Sequence, residues 1–273
     1  MPGIRGLRPR KSDPAVVTMQ SRQSYIVCAT WQHIWPPVPL RSSIRVLVDI
    51  VNLKKEAAEA AVDRVEEGMV LGLGTGSTTR YAIEKLGRLV SEGFDILGVP
   101  TSEATADLAR SRGIPLTSLD EQPTVDLTID GADEVDPRLN LIKGMGGALF
   151  REKIVALAST QMIVVVDESK LVDFLGQKTP VPIEVLSFGW KVTRKRLERL
   201  GCTPSLRRKN DRPFITDNGN YILDCRFPGI EEATDLARRL GELPGVLEHG
   251  LFLDMADVVL VGRPGGVKEM RRP

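Results

Sequence analysis

The run MVLGLGTGSTTRYAIEKLGRLV, residues 69–90, decides how this chain folds. Met69–Leu73 carries no polar side chain, as expected of a strand buried on both faces. Gly72-Leu73-Gly74-Thr75-Gly76-Ser77-Thr78-Thr79 then turns the chain, and a helix follows to about Val90. The same alternation continues downstream. Phe94–Val99 reads as a strand. Ser102 caps a helix running to Arg112, with Glu103 in its first turn. Val125–Ile129 is a third apolar strand. After the segment Asp130–Gly147 come a helix to about Ser159 and the strand Met162–Val166. Upstream, LKKEAAEAAVDRVEEG opens the order at Leu53, with Ala57, Ala60, Ala61 and Val65 as its apolar stripe and Gly68 as its stop. Buried strands alternating with helices give an α/β unit over residues 51–178: a parallel sheet with helices on both faces.

The pattern changes after about Lys178, where Pro180 and Pro182 mark a boundary. A strand near Ile183–Leu186, a basic helix around Val192–Leu200, and strands near Ser205–Arg208 and Pro213–Ile215 follow. Asp217-Asn218-Gly219-Asn220 reads as a hairpin turn into Tyr221–Cys225. A helix Ile230–Leu240 and a strand Val246–Phe252 complete a small α+β domain, residues 179–253, with an antiparallel sheet. Asp257–Val261 is again a buried run, and the strand at 256–262 is expected to return to the first sheet.

Residues 1–50 read differently. Arginines are frequent, acids are few, and Pro36, Pro37 and Pro39 stand beside Trp31 and Trp35 with no sustained period. A transit peptide, a disordered tail and a start assigned too early all fit this composition. The short apolar stretch Ile44–Val51 fits either a strand or a helix.

Composition excludes several functions. A net charge of +1 creates no field to recruit nucleic acid or an anionic membrane. No run approaches the ~18 apolar residues of a spanning helix. The only histidines are His33 and His249, and Cys28, Cys202 and Cys225 have no zinc-like spacing. This argues against a histidine-based zinc site and a Ser-His-Asp triad, and the sparse thiols fit a reducing compartment.

Three places carry chemistry. The glycine loop lies between a buried strand and a helix, where main-chain N–H groups hold anions; Thr75, Ser77, Thr78 and Thr79 add hydroxyls. It matches neither GxxxxGK[ST] nor GxGxxG, and the acid expected at the end of the next strand is missing. A sugar phosphate therefore suits it better than a nucleotide, and a merely tight turn is the alternative. The second place, Asp130-Gly131-Ala132-Asp133-Glu134-Val135-Asp136, puts four acids at the carboxyl end of a strand. Such a cluster is either solvated or used. The third is Lys143-Gly144-Met145-Gly146-Gly147, leading into a helix that is apolar on nearly every side. Glu152 on that helix faces opposing influences: desolvation raises its pKa, while Lys143 and the helix N-terminus lower it. It is either a tuned general base or a helix-end charge paired with Arg151 or Lys153.

GLGTGSTT, PTSEATADLARSRGIPL, DLTIDGADEVDP, LIKGMGGALFREKIVALAS, VVDESKLVDFLG, TDNGNYILD and HGLF occur in this order from residue 53 to about 268. Together they closely resemble ribose-5-phosphate isomerase of type A. The resemblance implies a Rossmann-like catalytic domain with a smaller α+β, ferredoxin-like domain, a homodimer, and no cofactor. It implies a cytoplasmic enzyme of the pentose phosphate pathway, or an organellar one if residues 1–50 are a transit peptide. The implied reaction interconverts D-ribose 5-phosphate and D-ribulose 5-phosphate through an enediolate. The implied phosphosugar loop is Thr75, Gly76, Ser77 and Thr78, and the acidic motif is Asp130, Gly131, Ala132 and Asp133. The lysine-glycine motif is Lys143, Gly144, Met145 and Gly146, with Met145 where some relatives have glycine. The proton-shuttling carboxylate is Glu152, and a further substrate-binding lysine is Lys170. Within that reading Lys143 stabilises the oxyanion, while Asp130 and Asp133 serve ring opening as a close pair sharing a proton. Two other functions share this type of fold. A non-catalytic sugar-phosphate regulator would have no need of Glu152, and an acyl-CoA transferase does not call for the DGAD and KGMGG motifs.

Overall fold

The computed structural model describes residues 40–272. In chain order the first half holds α1 (Leu40–Val62), β1 (Val70–Leu73), α2 (Thr79–Ser91), β2 (Leu97–Pro100), α3 (Glu103–Ser111), β3 (Val125–Gly131), β4 (Glu134–Val135), β5 (Leu141–Ile142), α4 (Leu149–Leu157) and β6 (Ser159–Asp167). A single helical turn, Glu168–Lys170, follows β6. The second half holds β7 (Val181–Val185), α5 (Trp190–Glu198), β8 (Thr203–Leu206), β9 (Arg208–Lys209), β10 (Arg212–Pro213), β11 (Tyr221–Arg226), α6 (Ala233–Gly241), β12 (Val246–His249), β13 (Leu251–Phe252), β14 (Val258–Arg263) and β15 (Gly266–Arg271).

The large sheet runs β15-β14-β6-β3-β1-β2. All neighbours are parallel except the antiparallel β14–β15 hairpin. Successive side chains of a strand face opposite sides, and the burial follows that rule. Ile163, Val165, Val258 and Leu260 join α1 and α2 through Ala57, Ala61, Ile83 and Leu86. Met162, Val164, Val166, Val259 and Val261 join Ala156 of α4 and Phe252 on the other face. The parallel sheet covered on both faces is the architecture expected, and β14 does return to it.

The second sheet, β12-β7-β11-β8, is antiparallel. With α5 and α6 it forms a βαββαβ unit. Leu197, Leu236 and Leu240 pack its helices onto Val181, Ile183 and Leu223. A third small sheet, β13-β5-β4, joins the segment before α4 to the end of the βαββαβ unit.

Several local expectations change. The first helix begins at Leu40, not Leu53, because no glycine or proline interrupts residues 40–67. Its side of the Ile44–Val51 alternative is therefore helix; residues 1–39 of the expected extension lie outside the described residues. The helix ends at Val62, where Arg64 and Val65 N–H groups bond three residues back instead of four. Its buried stripe is consequently Ala57, Ala58, Ala61 and Val62. The second strand starts at Leu97 rather than Phe94. The expected strand Val246–Phe252 divides at Gly250, whose N–H donates to Pro182 O and whose carbonyl accepts from Lys143 N–H. The turn Asp217–Asn220 does not join two paired strands, since β10 pairs only with β9. It folds instead onto the fully buried carboxylate of Glu184, which accepts from Thr216 Oγ1 at 2.9 Å, Asn220 Nδ2 at 2.9 Å and Asn218 Nδ2 at 3.2 Å. Among the described residues no helix is long and apolar enough to cross a membrane.

Candidate active site

The chain lays β2 on one side of β1 and β3 on the other. Ligands of open α/β sheets bind at such a reversal, beyond the carboxyl ends of the strands. Four segments meet there around a cavity of about 210 Å³: the loop after β1, the end of β3, the loop before α4, and the turn after β6.

The loop after β1 approaches β3 closely. A side chain at Gly74 would place its Cβ 2.3 Å from Asp130 Oδ1, so only glycine lets that carboxylate in. Thr75 N–H donates to the same oxygen at 3.2 Å. The Thr75 hydroxyl lies 2.8 Å from Thr101 Oγ1, 2.8 Å from Ser102 Oγ and 3.0 Å from Thr105 Oγ1. A hydroxyl has one donor and two acceptor sites, so this one is fully engaged inside the protein. Thr79 Oγ1 donates to Gly76 O at 3.1 Å. Thr75, Ser77, Thr78 and Thr79 all line the cavity, with the Thr75 and Thr79 hydroxyls also bonded within the protein. Thr78 precedes α2 without capping it through its side chain; Arg80 and Tyr81 N–H groups donate to Gly76 O and Thr78 O, which leaves the Thr79 N–H at the helix start for an anion.

Behind the cavity lies a buried charge cluster. Asp130 is wholly buried, and Lys143 and Glu152 are each 2% exposed. Lys143 Nζ stands 2.9 Å from Asp130 Oδ2 and 3.3 Å from Glu152 Oε2, and donates to Gly131 O at 2.7 Å. It also lies 5.3 Å from the centre of the Phe252 ring. Close as the ammonium is, neither Asp130 Oδ2 nor Glu152 Oε2 receives a well-aligned hydrogen bond. Burial pushes Glu152 up from 4.5 to about 8, against the pull of Lys143 and with the help of the Asp130 charge. Burial raises Asp130 as well, opposed by Lys143 and by the N–H groups of Gly131 and Thr75. Burial alone would lower the Lys143 ammonium; the two carboxylates more than reverse that and hold it above its ordinary range.

Glu152 is not paired with its sequence neighbours. Arg151 turns to Glu103 Oε1 at 2.8 Å and Asn218 Oδ1 at 2.9 Å. Lys153 turns to Glu248 Oε1 at 2.7 Å and His249 O at 2.6 Å. The four acids of the 130–136 segment also separate. Asp133 faces the cavity, with Oδ2 accepting Met145 N–H at 2.9 Å. Asp136 closes its own turn through Arg138 and Asn140 N–H groups. Buried Glu134 accepts from Gly176, Lys178 and Thr179. Asp130 and Asp133 were expected as a close pair; the contacts made are Asp130 with Lys143 and Asp133 with Met145 N–H.

Gly76, Gly131, Ala132, Gly144, Gly146 and Lys170 line the cavity, whereas the side chain of Met145 is exposed and outside it. Asp130 does not line it either. One cavity residue escaped sequence reasoning: Lys54 of α1, whose Nζ is 3.3 Å from Ser77 Oγ and 3.9 Å from Asp167 Oδ2. It sits in a helix rich in exposed charges, and nothing in the local pattern sets it apart. Among the described residues no three His, Cys, Asp or Glu side chains gather as metal ligands.

Residues 97–266 match the family model described as ribose 5-phosphate isomerase A (phosphoriboisomerase A). Ribose-5-phosphate isomerase A of Thermococcus kodakarensis is 51% identical over 229 residues, covering 82% of this chain and 100% of that protein. The protein of the same name from Bacillus mycoides is 52% identical over 221 residues, covering 81% and 100%. Among solved structures, a D-ribose-5-phosphate isomerase in complex with phospho-erythronic acid has a TM-score of 0.80 at 48% identity, covering 82% of this chain and 99% of that one. The Plasmodium falciparum enzyme gives 0.79 at 43%, covering 81% and 98%. With most of its length matched and about half of the matched residues identical, this chain belongs to the ribose 5-phosphate isomerase A family.

Proposed function

We propose that this chain interconverts D-ribose 5-phosphate and D-ribulose 5-phosphate with Glu152 as the group that carries the proton between C2 and C1. The observation that carries the assignment is a buried carboxylate at the cavity wall, raised to about 8 and without an aligned donor on Oε2. A general base works best with a pKa near the operating pH.

In the open-chain aldose, the Glu152 carboxylate removes the proton from C2. The C–H electron pair forms the C1=C2 bond and the carbonyl electrons move to O1. Lys143 and main-chain N–H groups of the cavity balance the charge that develops on that oxygen. The proton then returns from Glu152 to C1, while the O2 proton passes to O1, leaving the ketone at C2 and the hydroxyl at C1. Asp133 is suited to move hydroxyl protons during ring opening. Asp130, buried behind Lys143, acts as the counter-ion that fixes the ammonium. The phosphate goes to the N-terminus of α2 with Ser77 and Thr78, where Lys54 and Lys170 supply two positive charges. This chemistry needs no cofactor.

A homodimer belongs to the same reading. Phe188 is 87% exposed, with exposed Leu186 and Val192 nearby in sequence, and apolar surface of that kind marks association sites. Light scattering on the purified chain tests it.

The test of function is a spectrophotometric assay of ketose formation from ribose 5-phosphate, run with exchange of the C2 proton into deuterated water. Both should be observed. Binding of the sugar phosphate without turnover or exchange would favour the non-catalytic reading instead.

A further inference from the structure

The loop before α4 is held in part from the antiparallel sheet, where one side chain bonds two of its carbonyls. Arg207 lies between β8 and β9. Its N–H donates to Ile222 O at 2.9 Å and its carbonyl accepts Phe214 N–H at 2.9 Å, so its main chain is fixed on both sides. Its side chain is 11% exposed. Nε donates to Asp224 Oδ2 at 3.0 Å and Nη2 to Asp224 Oδ1. Nη1 donates to two successive main-chain oxygens, Gly144 O at 2.8 Å and Met145 O at 3.1 Å.

The planarity of the peptide bond gives this grip a consequence. In a trans peptide the C=O and the following N–H point in opposite directions. Drawing Gly144 O and Met145 O toward Arg207 turns the N–H groups of Met145 and Gly146 the other way. The first is the group that donates to Asp133 at 2.9 Å. The second belongs to a cavity-lining residue and donates to no protein group among the described residues. We infer that Arg207 is a positioning residue for the isomerisation: by holding these two carbonyls it orients the Met145 N–H onto Asp133 and keeps the Gly146 N–H aimed into the cavity, as a donor to the enediolate oxygen. The inference rests on the proposed isomerase reading and extends it to a side chain that does not line the cavity.

Only arginine suits this arrangement. A guanidinium offers donors in a planar fork, two for Asp224 and one edge for the carbonyls. A lysine ammonium keeps the charge for Asp224 but cannot span all four oxygens. The Gly144 carbonyl also accepts Gly147 N–H at 3.0 Å, but glycine at 146 offers little resistance of its own to rotation of the Met145–Gly146 peptide.

The experiment compares wild type, Arg207→Lys and Arg207→Gly. Circular dichroism and thermal melting establish that each variant is folded. Removing one oriented donor to a developing oxyanion costs about 10²–10³-fold, and partial misorientation less. Arg207→Lys should therefore lose about 10- to 100-fold in kcat. KM and the inhibition constant of inorganic phosphate should move less than about threefold, because the phosphate is held by other segments. Methylguanidinium added to Arg207→Gly should restore part of kcat, while methylammonium should not. A folded Arg207→Lys with kcat within about twofold of wild type overturns the inference. So does a parallel loss of kcat and phosphate affinity that methylguanidinium leaves unchanged, since that is the mark of a merely structural arginine. Wild type inactive on ribose 5-phosphate would instead remove the isomerase reading, and this inference with it.

Discussion

Replacing Glu152 by glutamine should cripple the reaction and stabilise the protein, and the second effect should depend on pH. The native state holds the Glu152 proton more tightly than the unfolded chain, with a pKa of about 8 against 4.5. Below pH 4.5 both states are protonated and the site costs nothing through ionisation. As pH rises through this window the unfolded chain gives up its proton first, and native stability falls by as much as ~1.4 kcal/mol per pH unit until about pH 8. The ceiling is ~5 kcal/mol. Lys143 loses one of its two carboxylate partners in the variant, and a buried amide has its own desolvation cost. A net gain of about 1–2 kcal/mol at pH 8 is therefore expected, or a few degrees in Tm for a chain of this size, and most of it should be gone at pH 5. Loss of a positioned base costs about 10²- to 10⁴-fold in rate, and it should fall on kcat with little change in KM. C2 proton exchange should disappear. Thermal melts at pH 5 and pH 8, with the isomerase assay at pH 8, read all of this. A variant no more stable than wild type at pH 8, or equally shifted at both pH values, would mean that Lys143 fully compensates an ionised Glu152, and the reasoning from burial would fail.

Other expectations follow from the same geometry. In wild type, kcat/KM should fall about tenfold per pH unit below roughly pH 8, because the base must be ionised, and Lys143, held above its ordinary range, should keep its charge throughout that window; a flat profile between pH 5.5 and 8 would remove Glu152 as base. Lys54→Ala and Lys170→Ala should each raise KM more than they lower kcat, and inhibition by inorganic phosphate should weaken in parallel. Unchanged phosphate inhibition in both would move the phosphate away from the α2 end of the cavity. Gly147→Ala should lower Tm, since the residue has φ +87° and a Cβ there would come 2.5 Å from the Phe214 ring. The backbone conformation alone costs about 1–2 kcal/mol, so a melt equal to wild type would show that the loop moves freely off Phe214.

The large sheet was legible because most of its strands contain a short apolar run, Val70–Leu73, Met162–Val166 and Val258–Val261, although Asp126 and Thr128 interrupt β3. Glu152 was legible for a related reason, being a carboxylate whose helical neighbours three and four residues away, Ala148, Leu149, Val155 and Ala156, are all apolar. Lys54 was not, because a lysine on an amphipathic helix looks the same whether it faces water or Ser77. The division of labour between Asp130 and Asp133 was also hidden. It depends on which way each carboxylate turns, and that is decided by the missing side chain at Gly74 and by the Met145 N–H, both distant in sequence. Strands of two residues such as β4, β5 and β13 have no period to detect, although they link the loop before α4 to Gly250. Arg207 stands in the basic run Arg207-Arg208-Lys209, where composition describes a solvated surface.

The buried cluster answers a problem that the proposed chemistry sets. An enediolate needs a cation beside it, yet a cation that pairs too well with the base would hold that base ionised, at a pKa too low to take a proton. Lys143 lies between two carboxylates that are supported unequally. Asp130 accepts N–H groups from Thr75 and Gly131 on its other oxygen, and hydrogen bonds of that kind favour the charged form. Glu152 has no such donors. Burial raises both acids, and Glu152, at about 8, is the one of the two that lines the cavity. In the proposed mechanism Asp130 stays 2.9 Å from the ammonium, so Glu152 can gain and lose a proton without leaving Lys143 alone in the interior. The fold makes the separation possible: β3 carries Asp130 under the glycine loop, while the separate element α4 brings Glu152 to the ammonium.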